Sequence, residues 1–216
     1  MKRTPPAPSP SRPTQRRGDE RRERLLRAAQ ALLQTKDFQD ITFVAVCKRA
    51  GIPHGSARYF YPDLPALLRG LLADLGGRHD AWLARPLPTR TTKSWQLLVN
   101  CLIDRSAHYQ RRHPVLAKLT IGGFTPPELK RLDRDADFAR ARFLVDRLEE
   151  FFVLPRHRDN LRVAYYAIEV VDTAFMLSMR ESGKLTAWWL TQAKLAATAV
   201  LAQHFGQDLP RRPRRG

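Results

Sequence analysis

The segment from Ile41 to Leu68 constrains the fold of this chain more than any other part; it reads ITFVAVCKRAGIPHGSARYFYPDLPALL. Thr42 is a good N-cap for one helix, and Gly51 supplies a turn conformation that residues with side chains resist. Pro53 suits the first turn of the next helix, and Pro62 ends that helix. The segment therefore predicts two short helices joined by a tight turn, with a further helix after Pro62.

Two short helices across a tight turn are the arrangement of a helix-turn-helix, whose second helix enters the major groove of DNA. The charge agrees with this partner, because 38 Lys and Arg residues face 21 Asp and Glu residues, a formal net charge of +17. Such an excess favours an anionic partner, either nucleic acid or an anionic membrane surface. The charge does not choose between these partners, whereas the shape of the segment favours DNA.

The remainder of the 216 residues is helical almost throughout, since apolar residues recur at three and four positions and no alternating strand stands out. We therefore predict an all-α fold. The expected helices cover 19–35, 42–49, 53–60, 64–83, 92–112, 114–119, 128–153, 160–181 and 186–205.

Several kinds of chemistry are not expected. Cys47 and Cys101 are far apart and neither belongs to a CxxC motif, which predicts two small buried thiols in a reducing cytoplasm. GxSxG, HExxH and phosphate-binding glycine-rich motifs are absent from the sequence, so we expect neither an enzyme nor a metal or cofactor site. No apolar run is long enough to span a bilayer, and the basic N-terminus is not followed by the apolar stretch of a secretory signal. We expect a cytoplasmic protein.

A set of small, apolar and turn residues stands in one register across residues 20–70. These are Arg24-Leu25-Leu26-Arg27-Ala28-Ala29, Phe38, Thr42, Val46, Ala50-Gly51-Ile52, Gly55-Ser56, Tyr61-Pro62 and Leu67. In this register the chain resembles the N-terminal domain of TetR-family transcriptional regulators. It departs from the family at Leu64, where a Lys commonly contacts phosphate, and at Ala57-Arg58-Tyr59, which replaces the common Leu-Tyr-x.

The resemblance implies a three-helix helix-turn-helix domain followed by a helical domain for effector binding and dimerisation. We expect a disordered, basic, Pro-rich arm over 1–17, the helix-turn-helix domain over 18–63, the second domain over 64–206 and a basic tail over 207–216. Within that tail, residues 210–215 are expected to be disordered like the arm. The implied function is a repressor that a small molecule releases from a palindromic operator.

The resemblance also implies which residues contact double-stranded DNA. Those expected near the backbone are Thr42, Tyr59 and Phe60, and those expected toward the bases are His54, Gly55, Ser56 and Arg58. Arg58 is the sharpest candidate for specificity, because its fork pairs with O6 and N7 of guanine. Arg12, Arg16 and Arg17 of the arm and Lys48 at the end of the second helix are further candidates. The alternative for each cation is an ordinary solvated side chain, and Lys48 suits the helix dipole without any DNA.

For the effector, the sequence favours an aromatic, mostly apolar cavity. The candidate lining residues are Trp82, Trp95, Phe124, Phe143, Tyr166 and Phe175, with His108 and Asp172 as polar anchors. The alternative is that these aromatic residues form an ordinary core. Asp172 interrupts an apolar run and needs a partner, which is an Arg across a dimer, a ligand group or water.

The last two helices are apolar over more of their circumference than one packing face requires. A second copy of the chain is the simplest partner, giving a homodimer through a four-helix interface. The alternative is a deeply buried hairpin in a monomer. As an alternative function we keep a basic helical module that binds RNA or anionic surfaces, although 53–60 lacks the amphipathic face of a membrane-binding helix.

Overall fold

The computed structural model describes residues 13–122, 127–155 and 158–213, and these residues contain helices and no strand. The α-helices are α1 (Pro13–Leu33), α2 (Phe43–Ala50), α3 (His54–Phe60), α4 (Leu64–Leu83), α5 (Trp95–Arg112), α6 (Pro114–Thr120), α7 (Pro127–Phe151), α8 (Asn160–Ser182) and α9 (Ala187–Phe205). Short 3₁₀ helices cover Phe38–Asp40 and Thr89–Thr92. The prediction of an all-α fold is confirmed.

The helix ends around the predicted turn follow local rules. The hydroxyl of Thr42 accepts a hydrogen bond from the Ala45 N–H at 3.1 Å, and the Asp63 carboxylate accepts one from the Ala66 N–H at 2.7 Å. Gly51 ends α2 in the left-handed region, with φ 62° and ψ 37°. These contacts confirm the predicted N-cap at Thr42 and the predicted turn at Gly51, and they show a cap of the same kind at Asp63.

Two predicted boundaries are wrong. Residues 13–17 were expected in a disordered arm, but α1 begins at Pro13, a residue that suits a helix start. The fifth helix was expected from residue 92, but α5 begins at Trp95 because Ser94 caps it, accepting a hydrogen bond from the Leu97 N–H at 3.2 Å. Residues 1–12 of the expected arm, including Arg12, lie outside the described residues.

The chain divides into two compact units, and the boundary falls between Leu71 and Leu72, inside α4. In the first unit, Leu25, Val46 and Ala57 are completely buried and join α1, α2 and α3. The free thiol of Cys47 is buried there too, and burial raises its pKa. This three-helix core holds the outer face of α3 in place.

The second unit is a helical bundle around a separate core. Its largest completely enclosed side chains include Trp95, Phe152 and Phe175. Helices α8 and α9 pack against each other across a turn at Gly183, whose φ is 67°, as expected for antiparallel neighbours. Among the described helices, none combines the length and apolar character needed to cross a membrane.

The expectation of a disordered C-terminal tail is wrong for the part that the structure describes. The carbonyl of Gln207 accepts hydrogen bonds from the Trp95 indole and the Gln96 amide at 3.1 and 2.6 Å. The Val153 N–H donates to the Pro210 carbonyl at 2.8 Å, and the Arg212 N–H donates to that of Phe151 at 2.8 Å. Backbone groups after α7 thereby gain partners, which explains why this basic segment is held. Residues 214–216 lie outside the description.

Candidate DNA-binding surface and ligand cavity

Short-range bonds set the geometry between α2 and α3. The Ile52 N–H donates to the Cys47 carbonyl at 3.1 Å, and the Gly51 N–H donates to the Lys48 carbonyl at 3.2 Å. Ala57, on the inner face of α3, is 0% exposed. Because α3 has only seven residues, this single inward contact determines which side chains face outward.

Arg24 of α1 also fastens this turn. Its guanidinium donates to the carbonyls of Ala50 and Gly51, at 2.6 and 3.4 Å. A cation at the C-terminal end of α2 interacts favourably with the helix dipole. Arg24 belongs to the family pattern, but the order of residues does not reveal its role, because its partner lies 26 positions away.

The outer surface of α3 carries five of the predicted DNA-contacting residues. His54, Gly55, Ser56, Arg58 and Tyr59 are all exposed, and the Tyr59 side chain is 87% exposed. A Cβ placed on Gly55 would meet nothing within 4 Å, so the backbone there is open to close approach. Among the described residues, no hydrogen bond or ion pair engages the Arg58 guanidinium. The structure therefore brings these five residues onto one accessible face.

The remaining DNA candidates lie around that face. Thr42 and Lys48 are exposed, and the capping hydroxyl of Thr42 keeps its own proton available for a phosphate oxygen. Phe60 is half-buried, and its ring lies 6.0 Å from the Arg22 guanidinium carbon and 5.3 Å from the Tyr59 ring. Phe60 thus packs within the domain more than it faces outward.

A basic groove lies between the start of α1 and α3, and it was not predicted from the sequence. It is lined by Arg17, Gly18, Asp19, Arg21, Arg22, Ser56, Tyr59 and Phe60. Arg16, one turn earlier, is exposed and pairs with Glu20 at 3.2 Å. Because both sides of this groove belong to the first unit, the cations of α1 lie beside α3.

The second unit contains a cavity of about 100 Å³, formed by side chains from α4 to α9. Its wall is mainly apolar, with Leu102, Ile103, Leu116, Leu144, Val171 and Leu201 among the lining residues. The polar lining residues are His79, Ser106, Gln110, Thr120, Asp137, Arg140 and Asp172.

Two of the predicted ligand-binding residues, Phe143 and Asp172, line this cavity. Five others lie elsewhere. Trp95 and Phe175 are core residues, each 1% exposed, and Tyr166 is 59% exposed. Trp82 stacks on the exposed His108, with ring centroids 5.7 Å apart. Phe124 lies outside the described residues. The expected aromatic wall is thus largely aliphatic, because aromatic spacing on a helix does not distinguish core from cavity.

A buried ion-pair group occupies one side of the cavity. The Arg140 guanidinium contacts the carboxylates of Asp80 and Asp137 at 2.9 and 2.6 Å. Burial alone would lower the pKa of Arg140, but the two carboxylates outweigh it and raise that pKa. Burial raises the pKa of Asp137, whose side chain is 5% exposed. The charge of Asp172 also raises the pKa of Arg140, so an arginine of the same chain lies close enough to interact with Asp172.

His79 and Gln110 are the least expected lining residues. They are 4% and 5% exposed, and His79 Nε2 and Gln110 Oε1 have no hydrogen-bond partner in the described part of the chain. Burial, with a smaller effect of the Arg140 charge, lowers the pKa of His79 to about 4, so its imidazole is neutral at pH 7. One signal existed in the sequence: His79 continues the apolar face of α4 four residues after Leu75.

Metal binding finds no support within the described ranges, where no three His, Cys, Asp or Glu residues lie close enough together to hold an ion.

Comparison with known proteins identifies the class. Residues 93–205 match the family described as "Tetracyclin repressor-like, C-terminal domain". Over 79 residues the chain is 35% identical to the HTH-type transcriptional regulator EthR of Mycolicibacterium smegmatis. That match spans 37% of this chain and 35% of the relative's length.

Solved structures share the fold. A TetR-family transcriptional regulator from Streptomyces coelicolor superposes with a TM-score of 0.66 at 20% identity, covering 85% of this chain and 99% of that one. A TetR transcriptional regulator from Rhodococcus sp. RHA1 gives 0.64 at 17% identity, covering 86% and 97%. The family match extends over more than half of the chain, and the chain belongs to the TetR family of transcriptional regulators.

Proposed function

We propose that this chain is a dimeric repressor that reads a palindromic DNA operator with α3 and leaves it when a small molecule occupies the cavity of the second unit. The observation that carries the proposal is the accessible face of α3, with an unengaged Arg58 and a Tyr59 that is 87% exposed.

Arg58 is the proposed base-reading residue. Its guanidinium has the donor geometry for O6 and N7 of guanine, and Gly55 on the same face permits close approach of the helix to the groove. His54 and Ser56 supply further donors and acceptors toward the bases. Specificity is therefore expected to concentrate at the base pairs that Arg58 faces.

Phosphate contacts are proposed for residues around α3. The Thr42 hydroxyl lies at the N-terminus of α2, where the helix dipole also favours an anion. Arg16, Arg17 and Lys48 are exposed cations on the same unit. Together they offer phosphate contacts that Leu64, in place of the family's common Lys, does not provide.

A second copy of the chain is proposed to cover the outer faces of α8 and α9. Helix α9 is apolar on nearly all sides, yet its Trp188 and Leu195 are 61% and 59% exposed. On α8, Tyr166 is 59% exposed. A helix that is apolar all round normally has partners all round. Two-fold symmetry would present two α3 helices to the two halves of a palindrome.

Regulation by a small molecule is proposed from the cavity. A ligand that prefers the conformation with weak DNA affinity lowers DNA binding by its differential affinity for the two conformations.

The experiment is selection of bound duplexes from a random DNA pool with the purified full-length protein, followed by titration of the enriched duplex. We expect a palindromic motif. Arg58→Ala should weaken binding by about 1–3 kcal/mol per half-site and relax the preference at one base pair of each half. Arg90→Ala, which removes an exposed arginine from the second unit outside α8 and α9, serves as the control and should bind like the wild type.

Other outcomes favour different conclusions. Equal loss on all duplexes with Arg58→Ala would make Arg58 a phosphate contact. Enrichment of no motif at moderate salt would contradict the proposal and favour the basic module that binds RNA or anionic surfaces.

A further inference from the structure

Two buried polar atoms of the cavity lack partners. Gln110 on α5 and His79 on α4 are each more than nine-tenths buried, and Gln110 Oε1 and His79 Nε2 accept or donate no hydrogen bond among the described residues. Native proteins pair nearly all buried polar groups, because an unpaired group keeps the full cost of leaving water. Both residues line the same cavity, so a molecule bound there lies next to both side chains.

The charges around the cavity disfavour an anionic ligand. Arg140, the cation of the lining, already contacts Asp80 and Asp137 at 2.9 and 2.6 Å, and the charge of Asp172 acts on it as well. His79 is neutral at pH 7. A carboxylate or phosphate entering the cavity would lose its hydration and meet two lining carboxylates, with the positive charge already engaged.

The remaining wall sets the size and polarity of the ligand body. Leu102, Leu116 and Val171 are among the aliphatic residues that line the space. The volume of about 100 Å³ is somewhat smaller than the engineered cavity of about 150 Å³ that binds benzene. The space therefore limits the apolar group to about one small ring.

We infer that the cavity takes an uncharged molecule with an apolar body of about one ring and a hydroxyl-type head that donates a hydrogen bond to Gln110 Oε1 and reaches His79 Nε2. A hydroxyl suits both atoms, because Gln110 Oε1 requires a donor and a hydroxyl also accepts when His79 Nε2 carries the proton. This inference deepens the proposed regulatory function and rests on it for its biological meaning.

Three probes of the same shape test the inference: benzyl alcohol, toluene and benzoate. Each is titrated into the full-length protein without DNA, and the ¹³C-methyl shifts of Leu102 and Val171 report occupancy. One hydrogen bond to a buried acceptor should make benzyl alcohol bind about three- to tenfold more tightly than toluene. Benzoate should bind more weakly than both. Equal binding of benzyl alcohol and toluene, or tightest binding by benzoate, would overturn the inference.

Variants assign the preference to the named atoms. Gln110→Met keeps the side-chain shape and should reduce the preference for benzyl alcohol over toluene to about onefold. Asn100→Leu is the matched control, because Asn100 lies on the same helix and its Oδ1 also lacks a partner, but it does not line the cavity. This control should keep the full preference. If Gln110→Met does not fold, His79→Phe serves instead and should reduce the same preference.

DNA release is measured separately, by titrating benzyl alcohol into the complex with the selected duplex. Probe binding that depends on Gln110 but leaves DNA affinity unchanged would contradict the proposed regulation and keep the cavity chemistry. Release of DNA by benzyl alcohol that does not depend on Gln110 would support the proposed regulation and contradict the inferred chemistry of the cavity.

Discussion

The two units of this protein carry sites of opposite kinds. The proposed DNA surface of the first unit comes from exposed side chains within a short stretch, between Thr42 and Phe60. The cavity of the second unit is assembled from buried side chains between His79 and Leu201, on helices α4 to α9. A surface site leaves its polar groups to water until DNA arrives, whereas a buried site must satisfy them inside the protein. Changes at the DNA surface should therefore alter the stability of the fold little. Changes at the polar residues of the cavity should alter both ligand binding and the stability of the fold.

The largest loss of stability is expected when the ion-pair group of the cavity is broken. Arg140→Met leaves the Asp137 carboxylate, 5% exposed, without its guanidinium partner. Removing one member of a buried pair destabilises a protein by about 3–5 kcal/mol, and we expect a loss of that size in urea unfolding. Arg142→Met, which changes an exposed arginine of the same helix, should cost little. A loss for Arg140→Met as small as that of the control would show that this side of the cavity is hydrated.

The second effect is a pH dependence that belongs to the cavity. The pKa of His79 is about 4 in the folded protein, below its ordinary value of 6.5, because burial disfavours the cation and the charges of Arg140 and His113 add to this. Between these two pKa values, the histidine of the unfolded chain binds more protons than that of the folded protein. The stability that the neutral, buried imidazole contributes is therefore complete above pH 6.5 and is lost as the pH falls toward 4. From pH 7 to pH 4 the wild type should lose about 3 kcal/mol more than His79→Phe.

The control for this measurement is His108→Phe, which removes an exposed imidazole from α5 and should keep the wild-type profile. The measurement is urea unfolding at each pH. If the free energy of unfolding changed with pH in the same way for the wild type and His79→Phe, His79 would not be buried in solution.

A smaller effect tests the packing of the first unit. A Cβ on Gly70 would lie 2.7 Å from Cε1 of Tyr61, whose side chain is 8% exposed. Gly70→Ala should therefore destabilise the protein by about 1–3 kcal/mol. Gly77→Ala in the same helix meets nothing within 4 Å and should stabilise the protein by about 0.5–1 kcal/mol, since alanine favours helix. Thermal unfolding that gives both variants the same sign would contradict the close approach of Tyr61 to α4.

The smallest effect concerns the basic groove beside α3. Arg17→Gln should weaken DNA binding on all sequences alike and lower the slope of log affinity against log salt by about 1 per protomer. Arg90→Gln in the second unit is the comparison, and titration at several salt concentrations is the measurement. An unchanged slope for Arg17→Gln would separate the start of α1 from DNA binding.

The sequence predicted the first unit closely. The capping groups of Thr42 and Asp63 and the turn at Gly51 act within four residues, so their outcome is visible in the order of residues. The exposed face of α3 follows from the same register. The contact between Arg24 and the Ala50 carbonyl did not follow, because it depends on how α1 packs against α2.

For the second unit, the sequence determined helix positions and the broad apolar band of α8 and α9. Phe143 and Asp172, two of the predicted ligand-binding residues, line the cavity, whereas His79, Gln110 and Arg140 line it without having been predicted. Which side chains face an internal space depends on the rotation of six helices about a common core, and helical periodicity specifies each face only relative to its own axis. Local chemistry in the sequence therefore determined the DNA-reading unit, and only tertiary packing decided the cavity and the polar atoms left for a ligand.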